Sequence, residues 1–270
     1  MNMEIEMKTQ ALIPYIYIIR SLQEQKRNAW IYPRKEYFGK LLGKNAVVNS
    51  TMNKEHWGPL MDNPDFDIDD VKRAVESYCI NPIEWDDTDY GLVDPGEPHP
   101  NDKNALANTA FYYLVECCRK GVIPMKKLFT LSRGFGDTIE HNGILPMSVG
   151  FRDLMESIRS GEMTEEYYLQ NRKHLVVMEH RIPVKVIATQ VLECLSVRDV
   201  YMHSLTLVDN FCLVIKEEDD LLAPYKDSMP EGDADRYDTV GLEIVGKSDI
   251  KYRHNPLSAM KRELHFEEEA

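Results

Sequence analysis

Apolar residues recur along much of the chain at the three- and four-residue intervals of an amphipathic helix. Ile5, Leu12, Ile16, Ile19 and Gln23 mark one side of a first helix, expected from Glu4 to about Asn28 and interrupted by Pro14. After Pro33, the residues Glu36, Tyr37, Lys40, Leu41 and Leu42 describe a short amphipathic helix. Val47 to Phe66 is rich in asparagine, glycine and proline and reads as a loop. Asp67 then offers an N-cap, Asp69 and Asp70 suit the positive end of a helix dipole, and Ile68, Val71, Val75 and Tyr78 keep helical spacing until Asn81 and Pro82.

Between Trp85 and Asp102 the pattern is broken by Pro95, Gly96, Pro98 and Pro100, and the stretch reads as irregular. A well-marked helix follows, capped by Asn101 or Asp102, striped by Leu106, Ala110, Tyr113, Leu114 and Cys117, and stopped at Gly121. Two more helices are expected from Ser148 to Ser160 and from Thr164 to about Glu179, and another through Val184, Ile187, Val191 and Leu195. Ser196 and Asp199 restart a helix carrying Val200, Leu205, Val208, Phe211, Cys212 and Ile215, with two short strands around Asp209 and Asn210 as the alternative for this β-branched run. Near the C-terminus, TVGLEIVGKSDIKYRHN reads as a hairpin turning at Gly246 to Asp249, and a surface helix is expected from Pro256.

The fold class is therefore mainly α: one multi-helix domain over residues 1–270, of about eight to ten helices with a small β-hairpin near the C-terminus, and with residues 1–50 as a candidate subdomain. The composition, 43% hydrophobic and 29% charged over 270 residues, is that of an ordinary globular chain. Cys79, Cys117, Cys118, Cys194 and Cys212 lack metal-ligand spacing, and the adjacent pair points about 100° apart on a helix, so free thiols in a reducing, cytoplasmic setting are expected. No apolar stretch suggests a membrane span, and no motif implies a cofactor.

Charge changes the picture more. The net charge of −13 is uneven: Met1 to Lys54 carries nine basic and four acidic residues, a net of +5, whereas Asp62 to Asp102 carries two basic and thirteen acidic, a net of −11. Asp69, Asp70, Asp86, Asp87, Asp89, Asp94 and Glu97 are the candidate partner-binding residues of this acidic surface. Such a band bears on partners more than on fold, and suits a basic protein.

Catalytic patterns fail on inspection. An EF-hand counted from Asp87 meets Gly91 at position five and Pro98 at position twelve. The SRGFGD stretch has Gly134 and Gly136 but neither a phosphate-loop lysine nor the third glycine of a dinucleotide loop. Arg133, Asp137, Glu140 and His141 remain as an alternative anion-binding or active-site loop. Glu243 and Lys247 are four apart, not the two of metal-dependent nuclease strands.

The first expectation is thus a non-catalytic binding factor of inhibitor or immunity type, presenting an acidic surface to a basic protein. A metal-dependent hydrolase or nuclease using acidic residues with His99 and His141 is the second. The third is a nucleic-acid-binding module, in which Trp30, Tyr32, Tyr37 and Phe38 alternate with Arg34, Lys35, Lys40 and Lys44, since cations track phosphates while rings stack on bases.

Overall fold

The computed structural model describes residues 5–25, 37–39, 41–42, 54–128, 131, 144–208 and 211–251. The chain is mainly helical, as its periodicity predicts, and carries two small sheets of two and four strands. It divides into two compact units: Met1–Ile139 with Ala188–Ser204, and Glu140–Ile187 with Leu205–Ala270.

The first unit begins with strand β1 (Ile5–Lys8), passes through a 3-10 turn (Thr9–Leu12) and enters α1 (Ile13–Glu24). One helix from Glu4 is thus corrected to a strand and a shorter helix. Pro14 lies in the first turn of α1, where its missing N–H would have no partner and its fixed φ suits helix entry, so it starts the helix instead of breaking it. The segment expected to be loop contains α2 (Lys54–Asp62), whose last carbonyls are held from outside. Gln23 Nε2 donates to the oxygens of Leu60 at 2.7 Å and Asn63 at 3.0 Å.

Helix α3 (Ile68–Tyr78) has the predicted cap in full: Asp67 accepts from the Asp70 amide at 2.9 Å and Asp70 returns the bond at 3.0 Å. Trp85 and Asp86, expected in irregular chain, lie on β2 (Ile83–Asp86), which runs parallel to β1 with Met7 opposite Trp85. Helix α4 (Ala105–Arg119) packs along α1, and Ala107, Ala110, Leu114 and Val115 of the one and Ile18, Ile19 and Leu22 of the other are all buried. Gly121, at φ 68°, closes α4 with the paired bonds Val122 N to Cys117 O and Gly121 N to Cys118 O.

In the second unit β3 (Ile144–Ser148) leads into α5 (Val149–Arg159), followed by α6 (Glu165–Leu175) and β4 (Val176–His180). The helix expected to reach Glu179 ends four residues sooner because Val176 to His180 pair with another strand. Helices α7 (Val184–Val191) and α8 (Val197–Val208) carry the chain through the first unit and back. A strand, β5 (Phe211–Ile215), follows. The 205–215 region is therefore helix and then strand, so each earlier alternative holds for half of it; Asp209 and Asn210 lie outside the described residues.

Helix α9 (Lys216–Leu221), helix α10 (Arg236–Thr239) and strand β6 (Ile244–Lys251) follow in this unit. The sheet order is β4-β5-β3-β6, with β5 and β3 parallel and both outer pairs antiparallel. Residues 246–249, expected as the turn of a C-terminal hairpin, lie within β6, which pairs with β3. The expected helix from Pro256 lies outside the described residues.

Both faces of β5 are covered, which explains its continuous apolar run. Phe211 and Leu213 pack with Phe151, Met155 and Tyr168, while Cys212 and Val214 pack with Leu222, Tyr237 and Leu242. Among the described residues no helix is long and apolar enough to cross a membrane.

Candidate functional site

The acidic stretch after β2 is held in a definite shape by its own carboxylates. Asp86 accepts from the Thr88 amide at 2.9 Å and from the Tyr90 hydroxyl. Asp87 accepts from Lys72 of α3 at 2.5 Å and from the Thr9 hydroxyl. Asp89 accepts from Gln10 Nε2 and the Gly91 amide, both at 2.8 Å, and Gln10 Oε1 takes the Tyr90 amide at 3.1 Å. Lys8 spans the same strip, donating to the Gly121 carbonyl at 2.8 Å and lying 4.3 Å from the Tyr90 ring centre. The turn Thr9–Leu12 is thus the floor on which the acidic loop sits.

Further along, Asp94 accepts from the Gly96 amide at 2.9 Å, and the buried Pro95 offers its carbonyl to the Val197 amide at 3.4 Å. His99 stacks on Tyr201 at 4.5 Å and 14°, and its Nδ1 accepts from the Asn101 amide. Glu97 is exposed. On α3, Asp69 is exposed, and Asp70 completes the cap and pairs with Arg73. The N-cap of α4 is Asn104 and not the expected Asn101 or Asp102; Asp102, two residues before it, receives the Asn104 amide and the Asn108 side chain, each at 2.8 Å.

These bonds stabilise the ionised form. Hydrogen bonds from Thr88 and Tyr90 push Asp86 down to about 2. Lys72 and then Thr9 lower Asp87, the Gly91 amide and Gln10 lower Asp89, and the Asp67 amide with Arg73 lowers Asp70. The charge is nevertheless presented outward: the Asp87 side chain is 68% exposed despite its lysine partner.

The seven candidate residues therefore all lie on the first unit, in three places: the first turn of α3, the end of β2, and the loop beside the start of α8. They do not share a centre. Among the described residues no group of three or more His, Cys, Asp or Glu side chains is placed to hold a metal ion. Arg133, Asp137, Glu140 and His141 lie outside the described residues.

Of the basic aromatic segment, Trp30, Tyr32, Arg34, Lys35, Lys40 and Lys44 are also outside them. Tyr37 and Phe38 are buried, with Tyr37 donating to the Ala11 carbonyl at 2.6 Å and Phe38 lying edge-on to Tyr15 at 4.5 Å. Those two rings serve the core and offer no face to a base.

The five cysteines are free, and four are buried. Burial pushes Cys118 and Cys212 up to about 12 and Cys79 and Cys194 up to about 11, so they are protonated at neutral pH and poor nucleophiles.

The residues that sequence reasoning missed are those that position the loop: Lys8, Thr9, Gln10 and Lys72. The first three are separated from their loop partners by about eighty positions, and no local pattern announces them. No protein-family model, curated protein or solved structure matches this chain.

Proposed function

We propose that this protein is a non-catalytic binding factor of inhibitor or immunity type, whose first unit presents a fixed acidic surface to a basic protein. One observation carries the reading: Asp86 and Asp89 are anchored by neutral donors, which orient the carboxylates without cancelling their charge. A charged loop already held in shape loses little conformational freedom on association, and complementary charge raises encounter rate and specificity. Free, buried thiols fit a reducing compartment such as the cytoplasm.

Affinity capture from a cell extract at about 50 mM salt tests the reading, where screening is weak. The wild-type chain is compared with Asp69→Asn/Asp94→Asn/Glu97→Gln. The expected result is recovery of a basic protein by the wild type and its loss with the variant. Recovery of no basic protein, or equal recovery by both chains, contradicts the reading.

A further inference from the structure

The small sheet of the first unit is short of a strand. β1 and β2 are parallel and four residues each, a pairing less stable per residue than an antiparallel one and seldom found without further strands. Its ladder shows where the backbone groups point. The Ile5 amide donates to the Pro82 carbonyl at 3.0 Å and Ile5 lies opposite Ile83, which turns the amide and carbonyl of Glu84 toward β1. The N–H and C=O groups of Ile83 and Trp85 therefore point to the far side of β2. Among the described residues nothing bonds to them, and no strand lies beyond β2. Such a row of unpaired backbone groups is a template for one more strand.

The two faces beside this edge differ, because side chains alternate along a strand. Ile83 and Trp85 share the face turned to α3, where Trp85 Nε1 donates to Glu76 at 2.5 Å and the Lys72 ammonium lies 5.4 Å from the Trp85 ring centre. At the entry to β2, Glu76, Ile80, Pro82 and Ile83 line an open depression, with Ile80 55% exposed. The opposite face carries Glu84 and Asp86, with Glu6 directly across from Glu84 and Lys8 across from Asp86. Glu6 and Glu84 are both exposed, a like-charge pair that costs stability and that a cation beside Glu84 relieves. A second copy of β2 would bring Glu84 and Asp86 against their own counterparts, so charge opposes self-pairing at this edge.

We infer that the basic partner adds an extended segment to the outer edge of β2 as a third strand, its apolar residues on the side of Ile80 and Ile83 alternating with lysines or arginines on the side of Glu84. This rests on the acidic-surface reading and adds to it the partner's element and its place. Backbone bonds hold the segment, and the alternation of its side chains selects it.

The probe is a synthetic peptide of alternating valine and lysine, compared with one N-methylated on its valine amides and one N-methylated on its lysine amides. Charge is the same in all three, but only alternate amides of an added strand face its neighbour. Dissociation constants are measured by fluorescence anisotropy at about 50 mM salt, where screening is weak. One methylated peptide is expected to bind the wild type at least about tenfold weaker than the unmodified peptide and the other about equally, since only one set of amides donates to β2. Ile83→Pro, which removes an outward N–H and no bond to β1, is expected to weaken the unmodified peptide similarly, with a thermal melt as the check on its folding. Glu84→Gln and added salt are each expected to weaken it as well. Equal binding of the three peptides overturns the inference; if salt and Glu84→Gln weaken all three alike, the acidic-surface reading stands alone. Binding that follows the methylation pattern but ignores both salt and Glu84→Gln overturns the basic character of the segment and with it the acidic-surface reading. No binding of any peptide at low salt overturns both. Self-association of the wild type that Ile83→Pro abolishes gives the edge to a second copy and overturns the inference.

Discussion

Arg236 is fully buried, and the second unit is built so that its guanidinium is saturated. Nε donates to the Arg181 carbonyl at 2.9 Å, Nη1 to the Tyr225 carbonyl at 3.0 Å, and Nη2 to Glu179 and the His180 carbonyl. A planar fork with several donors reaches these acceptors at once, which an ammonium cannot do. Arg236→Met takes the guanidinium away from Glu179 and from the carbonyls of Arg181, Tyr225 and His180, and is expected to cost about 3–5 kcal/mol in urea unfolding, the cost of breaking a buried pair. Lys72→Ala, which removes an ion pair with an exposed aspartate, is expected to lower the unfolding midpoint far less than Arg236→Met. A small effect at Arg236 means that the network does not hold β4 to α10.

Gly150 is a second such position, because a Cβ there would meet Glu218 Oε1 at 2.7 Å and Ile215 Cδ1 at 2.8 Å. Glu218 accepts from the Gly150 amide at 3.1 Å, the Ile215 amide at 3.0 Å and the Ser148 hydroxyl, so one carboxylate joins the starts of α5 and α9. Gly150→Ala is expected to destabilise by about 1–3 kcal/mol through crowding of this contact. An alanine variant as stable as the wild type shows instead that Glu218 can move aside freely.

At the scale of elements, what could be read from sequence was local. The Asp67 cap and the Gly121 stop are each encoded within a few neighbouring residues, and each is where the pattern puts it, whereas α4 is buried almost all round, with Leu106 and Tyr113 of its expected stripe only half-buried. The strands were missed or misplaced because their partners are distant: β1 pairs with β2 across more than seventy positions, and β3 with β6 across about a hundred. Val176 and Val177 fit helical spacing as well as a strand, and the ladder with β5 decides between them. Helix α2 was hidden by Gly58 and Pro59, and the side chain that satisfies its end, Gln23, belongs to another helix. The acidic residues of the candidate site were legible by composition, but the donors that fix them were not.

The acidic loop as an element also has a pH signature. Asp70, Asp86, Asp87 and Asp89 have lowered folded-state values, so their contribution is complete above the ordinary aspartate value and is lost as pH falls through the folded one. With Asp86 at about 2, the loss runs from roughly pH 4 down to about pH 2. Thermal midpoints taken at descending pH are expected to drop over that window, and to drop less for Asp86→Asn. An identical acid profile for the variant indicates that the Thr88 and Tyr90 bonds do not stabilise the folded loop.

For the whole molecule, fold and charge are separate statements. The second unit is a sheet with both faces covered, closed by the Arg236 and Glu218 contacts. The first unit carries the −11 stretch on a helical scaffold where Thr9, Gln10 and Lys72 hold its loop open to solvent. The central claim, that this surface docks a basic protein, is tested most directly by the association rate with the protein recovered in the capture experiment, measured across ionic strength. For the wild type the rate is expected to fall at least about tenfold between roughly 50 and 300 mM salt, as electrostatic steering is screened. With Asp69→Asn/Asp94→Asn/Glu97→Gln the low-salt rate is expected to be slower and its salt dependence flatter. Equal rates and equal salt dependence for the two chains contradict the claim.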